Sequence, residues 1–285
     1  QNIKDHGYTT PTPIQDQTIP LILAGRDVVG VANTGTGKTG AFLIPLVHKV
    51  FSDQKLKVLV VVPTRELAIQ IHTELQVFAR GAGINASLCI GGEGMGRQIT
   101  GLRRGPAFVI GTPGRLRDLE EHRQINFGDF NVIVLDEVDR MTDMGFLPEV
   151  KYMAARLPKE RQSLFFSATV PVKVQEVIRE FLKDPVTVSV KAQDVPVNVE
   201  QSVVRMQGRS KLEVLHDLLL QVGMEKVLIF GRTKWGMEKL GKALIDRGFK
   251  LATIHGNKSQ VARRRAMEQF KNNQIKMLIA TDVAA

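Results

Sequence analysis

The chain has 285 residues, 43% hydrophobic and 24% charged, with a net charge of +10. That length accommodates two globular domains. A single cysteine, Cys89, excludes an internal disulfide and a cysteine-based zinc site, and no apolar stretch is long enough to span a membrane. The opening Gln1-Asn-Ile-Lys-Asp-His6 does not read as a signal peptide, so an intracellular protein is expected. The charge is uneven: residues 199–285 hold 16 Lys and Arg against 8 Asp and Glu. Such a basic half fits a polyanionic partner, nucleic acid first, or a solvated basic surface; charge alone leaves both open.

In chain order, short apolar, β-branched runs predict strands at Asp27–Val31, Val58–Val62, Ser87–Ile90, Phe108–Gly111, Val132–Asp136, Leu164–Ser167 and Val186–Val190. Helical patterns lie between them, among them Arg65–Arg80 and Pro171–Leu182. Continuous apolar strands alternating with helices predict a parallel sheet covered on both faces. The polar, Pro-containing stretch Lys191–Asn198 reads as a linker. Beyond it the spacing predicts a strand at Ser202–Met206, a helix at Ser210–Gln221, a strand at Val227–Phe230 and a helix at Trp235–Arg247. A strand at Leu251–Ile254, a helix at Gln260–Asn272 and a strand at Met277–Thr281 follow. The expected organisation is a nucleotide-binding lobe over 1–190, a linker over 191–198 and a second lobe over 199–285. A parallel sheet stopping at Ala285 would keep an unprotected edge, so the second lobe is expected to be truncated.

Two runs carry chemistry. In Ala32-Asn33-Thr34-Gly35-Thr36-Gly37-Lys38-Thr39 the glycines permit a tight turn whose N–H groups face phosphate, and a helix starting near Gly37 adds its positive end. Lys38 is suited to β/γ-phosphate oxygens and Thr39 to Mg²⁺. The strict pattern begins with Gly where Ala32 stands. In Val132-Ile-Val-Leu-Asp-Glu-Val-Asp139 a buried strand delivers acids to its tip. Asp136 is the second candidate Mg²⁺ ligand, through water, and Glu137 the candidate to orient and deprotonate an attacking water. ATP and Mg²⁺ are the cofactors these runs imply.

Asp136-Glu-Val-Asp139 beside Ser167-Ala-Thr169 resembles the DEAD-box RNA helicases, and the similarity covers nearly the whole chain. The resemblance implies two RecA-like lobes closed by ATP and single-stranded RNA, with hydrolysis resetting the clamp. Gly7-Tyr8-Thr-Thr-Pro-Thr-Pro-Ile-Gln15 looks like the family's Q motif, which implies adenine contacts from Gln15 and a nucleotide-side place for Tyr8. Pro63-Thr64-Arg65-Glu-Leu67, Gly91-Gly92 and Thr112-Pro113-Gly114-Arg115 look like its RNA-contacting motifs. Ser167 and Thr169 look like the motif that couples hydrolysis to strand separation, with Asp139 linked to both. Phe230, Gln260-Val-Ala-Arg263 and Thr281-Asp282 look like second-lobe motifs; Gln260, Arg263 and Thr281 are assigned to RNA and Asp282 to the nucleotide. RNA is expected to be held through phosphates and 2′-hydroxyls rather than base edges.

Three departures qualify the resemblance. Val138 stands where the family usually has Ala, a modest packing change that is expected to leave activity intact. The family's stacking aromatic upstream of the Gln would precede Gln1, which is expected to weaken adenine binding. The last motif, with its arginine fingers, would follow Ala285, so this chain is expected to bind ATP and RNA but hydrolyse poorly. Among other residues, Phe165 and Phe166 read as core, and Trp235 as packing at a helix start. Arg264 and Arg265 read as solvated, and His255-Gly256 as a loop facing nucleic acid or the other lobe. The expected activity is RNA-dependent ATP hydrolysis that unwinds short duplexes or remodels ribonucleoproteins. An ATP/RNA clamp with little turnover and a DNA translocase are the alternatives. The expected protein is a cytoplasmic or nuclear monomer, away from membranes, acting on single-stranded or short-duplex RNA.

Overall fold

The structure is a computed structural model, and it describes residues 2–5, 7–190, 199–221 and 223–281. The predicted linker 191–198 lies outside the described residues. The chain divides into two compact units, 1–197 and 198–285.

In the first unit α1 (Asn2–Asp5) and α2 (Pro13–Leu23) precede β1 (Val28–Val31). Strands and helices then alternate: α3 (Lys38–Ser52), β2 (Val58–Val61), α4 (Arg65–Phe78), β3 (Ala86–Cys89), α5 (Met95–Leu102), β4 (Phe108–Gly111) and α6 (Pro113–Glu121). They continue as β5 (Val132–Asp136), α7 (Val138–Asp143), α8 (Leu147–Ala154), β6 (Gln162–Ser167), α9 (Val172–Phe181) and β7 (Val186–Ser189). All seven strands join one parallel sheet in the order β3-β4-β2-β5-β6-β1-β7. The central strands β2, β5 and β6 are buried along their whole length, and their segments Val58–Val61, Val132–Leu135 and Leu164–Phe166 accordingly read as unbroken apolar runs.

Strand alternation sorts the core into two layers. In β5, Val132 and Val134 meet Phe42, Leu46, Ile71 and Leu75 of α3 and α4. Ile133 and Leu135 point the other way, to Leu116 and Leu119 of α6, Met153 of α8 and Val177 of α9. Phe165 and Phe166 fall one on each side, as core residues. With both faces covered, the open positions are the strand ends. In such a sheet, ligands gather beyond the carboxyl ends of the strands.

The second unit holds α10 (Lys211–Leu219), β8 (Val227–Phe230), α11 (Lys234–Ile245), β9 (Leu251–Ile254), α12 (Gln260–Lys271) and β10 (Met277–Ala280). Its three strands are parallel, in the order β8-β10-β9. Side-chain caps start its helices: Thr233 for α11, Ser259 for α12, and a Ser210–Glu213 capping box for α10.

Two expectations are corrected here. Residues 202–206 form no strand: they have no ladder partner among the described residues, and Val203 is 89% exposed. Their β-branched pair supplies propensity without a surface to bury. Trp235 is not a packing residue: it sits in the first turn of α11 and is 75% exposed.

Candidate functional site

Three adjacent strands of the first unit, β1, β6 and β5, end side by side and bring the two chemical runs together. Beyond Val31 the chain turns through Ala32–Gly37 into α3. Thr36 Oγ1 donates to the Asn33 carbonyl at 2.7 Å and closes the turn. Thr34 and Gly35 form its exposed tip. Gly37 has φ 90°, and a Cβ there would lie 2.5 Å from Gln15 Nε2, so any side chain at this position is strained and displaces Gln15. Gln15 is itself buried; Nε2 donates to the Gly37 carbonyl at 3.0 Å, and Oε1 accepts from Thr12 N. Each amide atom has capacity for one further bond. The Tyr8 ring packs edge-on to Phe78, and its hydroxyl faces Glu74. Burial first, then that carboxylate, raises the Tyr8 phenol above its ordinary value.

Lys38 lies folded across this turn, with Nζ donating to the Ala32 carbonyl at 2.7 Å. An ammonium carries three donors, so two directions remain for phosphate oxygens. Asp136, at the tip of β5, is 2% exposed. Burial pushes its carboxyl up to about 7; Lys38 pulls it back down, and Glu137 pushes it up further. Asp136 Oδ1 also accepts from Glu137 N at 2.9 Å. A buried carboxylate facing a lysine, with the Thr39 hydroxyl at the start of α3, fits a hard cation shared with phosphate oxygens and water. Among the described residues no group of three His, Cys, Asp or Glu is placed to hold a metal ion. Bound there, Mg²⁺ would supply neutralisation of phosphate charge.

Glu137 has φ 54°, in the left-handed region, and starts α7; its Oε2 meets Arg140 Nη1 at 3.4 Å. A non-glycine residue in this conformation stores roughly 1–3 kcal/mol of strain, and such strain gathers at functional sites. Two residues on, Asp139 bonds to the end of β6 and the segment after it. Its Oδ2 accepts from Thr169 N at 2.9 Å and from Thr169 Oγ1 at 2.8 Å. Its own N–H donates to Ser167 Oγ, which donates onward to the Thr169 carbonyl. Burial alone would raise the Asp139 carboxyl; the Thr169, Ser167 and Arg140 hydrogen bonds outweigh it and hold the group below its ordinary value. The Ser167 carbonyl also accepts from Ala32 N at 3.1 Å. The phosphate turn, the acidic strand tip and the Ser167–Thr169 segment are thus one bonded assembly.

A second cluster forms where β2, β3 and β4 end. Pro63 and Thr64 follow β2, and Thr64 Oγ1 caps α4 by accepting from Leu67 N. Arg65 lies against Gly91-Gly92, and a Cβ at Gly92 (φ 77°) would collide with its guanidinium. Thr112 N donates to the Cys89 carbonyl, tying Thr112-Pro113-Gly114-Arg115 to the same edge. Arg115 Nη1 donates to the Glu93 carbonyl at 3.3 Å and to Gln98 Oε1 at 3.1 Å, while Nε faces Asp118. Gln98 is buried, and its Nε2 donates to the Ile90 carbonyl. It therefore orients Arg115, a part the sequence reading did not single out. One glutamine on the buried face of α5 was the available signal.

In the second unit, Gln260 and Arg263 lie one turn apart on α12, each 4% exposed. Thr281 is also buried, and its N–H donates to the Ile254 carbonyl. None of the three offers a broad surface. Phe230 ends β8 half exposed. Asp282 lies outside the described residues. His255 is buried and bonded to Glu238, within its own unit.

The family described as DEAD/DEAH box helicase matches residues 12–177, and the Helicase conserved C-terminal domain matches residues 210–285. The chain is 40% identical over 285 residues (99% of its length) to "ATP-dependent RNA helicase CshA" of Limosilactobacillus reuteri. It is 41% identical over 281 residues (98%) to "DEAD-box ATP-dependent RNA helicase CshA" of Bacillus subtilis. It spans 57% of the length of each of these relatives. Among solved structures it is similar to a hypothetical ATP-dependent RNA helicase from Sulfolobus tokodaii, with TM-score 0.63 and 30% identity over 100% of this chain and 82% of that one. It is also similar to a DEAD box protein from Methanococcus jannaschii, with TM-score 0.64 and 33% identity over 99% of this chain and 77% of that one. With its phosphate turn bonded through Ser167 to Asp139, and with family matches across both units, the chain belongs to the DEAD/DEAH box helicase family.

Proposed function

We propose that this chain carries the ATP- and RNA-handling core of an ATP-dependent RNA helicase. Lys38 binds β/γ-phosphate, Thr39 and Asp136 hold Mg²⁺, and Glu137 orients and deprotonates the attacking water. Gln15 and Tyr8 serve the adenine side. Arg65, Gly91, Gly92 and Thr112–Arg115 take single-stranded RNA by its backbone, with Gln260, Arg263 and Thr281 on the second lobe. The carrying observation is the Ala32–Ser167–Asp139–Thr169 bonding, which joins the nucleotide turn to the residues proposed to couple hydrolysis to strand separation. The names of the relatives support the same reading. On this reading the protein acts as a monomer inside the cell, in the cytoplasm or the nucleus. Among the described residues no helix is long and apolar enough to cross a membrane.

The test is ATP hydrolysis with and without single-stranded RNA, with Glu137→Gln as the blank. Weak but RNA-stimulated turnover that is lost in the variant is expected. Hydrolysis that ignores RNA, or survives Glu137→Gln, overturns the assignment.

A further inference from the structure

Glu238, on the second turn of α11, gathers three donors on a single oxygen. Its Oε1 accepts from Thr253 Oγ1 at 2.7 Å, from His255 Nε2 at 2.7 Å and from Lys258 Nζ at 2.7 Å. These donors come from β9 and from the loop that joins β9 to α12. The imidazole between them is held in one form. Asn257 N donates to His255 Nδ1 at 3.3 Å, so Nδ1 carries the lone pair and Nε2 carries the proton given to Glu238. Lys234, also on α11, donates to Asn257 Oδ1, a second tie from the same helix to the same loop. The loop ends at Ser259, whose Oγ caps α12 by accepting from Ala262 N, and whose carbonyl accepts from Arg263 N. Where α12 begins, and where Gln260 and Arg263 sit, is therefore decided by a loop that Glu238 anchors.

The Glu238 side chain is 42% exposed. Exposed ion pairs add little to global stability. Three short bonds converging on such a group do more to fix geometry than to hold the fold. His255, Asn257 and Lys258 lie beyond the carboxyl end of β9, the pole where ligands bind in this architecture.

We propose that Glu238 is a positioning residue for RNA in the second lobe: it sets the His255–Ser259 loop and, through it, the register of Gln260 and Arg263. The proposal rests on the RNA-dependent ATPase reading above. It assigns Glu238 no contact with RNA or ATP.

The experiment compares the full chain with Glu238→Ala and Glu238→Gln. RNA-stimulated ATPase is titrated with single-stranded polyuridylate, and the imidazole of His255 is followed by ¹⁵N NMR. In Glu238→Ala we expect KM for RNA to rise about tenfold, with kcat and KM for ATP within about twofold of the parent. The melting temperature stays within a few degrees, and His255 loses its single-tautomer ¹⁵N pattern. Glu238→Gln keeps an acceptor for Thr253 and His255 and releases only Lys258, so it recovers most of the RNA affinity and the ¹⁵N pattern. An unchanged KM for RNA in Glu238→Ala overturns the positioning role, as does a fall in kcat at constant KM. Should Glu238→Ala fail to fold, the Glu238→Gln titration decides: parent-like RNA affinity supports the proposal, and a loss as large as tenfold overturns it. A parent chain without RNA stimulation refutes the helicase reading instead; the ¹⁵N spectrum then still judges the anchor, and an unchanged pattern in Glu238→Ala overturns it.

Discussion

Asp139 and Thr169 are joined twice through one oxygen: Asp139 Oδ2 accepts from both the amide and the hydroxyl of Thr169. A carboxylate that accepts two bonds at once fixes the segment after β6 against the start of α7. These bonds tie the segment that follows the acidic strand tip directly to Ser167–Thr169. Hydrogen bonds to a charged group are worth about 1.5–3 kcal/mol each when a partner is removed.

Asp139→Asn can keep a single acceptor oxygen, but it loses the charge. ATP hydrolysis is expected to persist, while duplex unwinding falls by tenfold or more, measured on a short RNA duplex. The pH behaviour has a definite sign. The Asp139 carboxyl is held below its ordinary value of 3.8 in the folded chain. Its contribution to stability is therefore complete above that value and is lost as pH falls through the folded one. An acid titration of stability is expected to show a steeper loss below about pH 4 for the parent than for Asp139→Asn. Parallel acid limbs would contradict this.

Gln98 holds Arg115 in place without reaching the surface. Gln98→Leu is expected to fit the space and release the guanidinium, weakening RNA binding by roughly tenfold, or ~1.4 kcal/mol. ATP affinity without RNA is expected to be unchanged. Fluorescence anisotropy with a labelled single strand reads the first quantity, and nucleotide titration the second. Equal RNA affinity in Gln98→Leu and the parent would show that Arg115 is placed by Glu93 and Asp118 alone.

Cys89 is fully buried at the end of β3, and burial pushes its thiol up to about 12, with Arg115 pulling it partly back. At pH 8 the thiolate is absent and the sulfur shielded, so iodoacetamide is expected to label the native chain at least ~100-fold more slowly than the unfolded one. As the only cysteine in the chain, it reports unfolding of the first unit by mass alone. Rapid labelling of the native protein would place β3 in frequent local opening.

Gly92 carries φ 77° and leaves no room for a Cβ beside Arg65. Gly92→Ala combines backbone strain with displacement of that guanidinium. A loss of about 1–3 kcal/mol in stability is expected, together with weakened RNA binding. Denaturant melts and the anisotropy assay check the two effects separately.

The sheet of the first unit was legible because its strands are buried on both faces. Val58–Val61, Val132–Leu135 and Leu164–Phe166 are apolar without alternation, and short β-branched or aromatic runs of that length between helical patterns read as covered parallel strands. The phosphate turn and the acidic tip were legible because their chemistry demands specific residues at fixed spacing. Residues 202–206 misled because propensity is local, whereas strand formation needs a partner. Trp235 misled for a related reason: ring size predicts burial only when the helix face has something to pack on. Gln98 and Glu238 were invisible for a different reason. A lone polar residue on a helix acquires meaning only from the donors and acceptors that folding brings to it from elsewhere in the chain.

Ser167 faces two ways. Its carbonyl takes the amide of Ala32 in the phosphate turn, and its hydroxyl takes the amide of Asp139. The first link is made of main chain on both sides, so no ordinary side-chain exchange deletes it; only proline at position 32 would remove the donor. The second depends on a hydroxyl that one substitution abolishes. Heredity can therefore retune how strongly the acidic segment follows this strand while the strand's hold on the nucleotide turn passes through every such change intact.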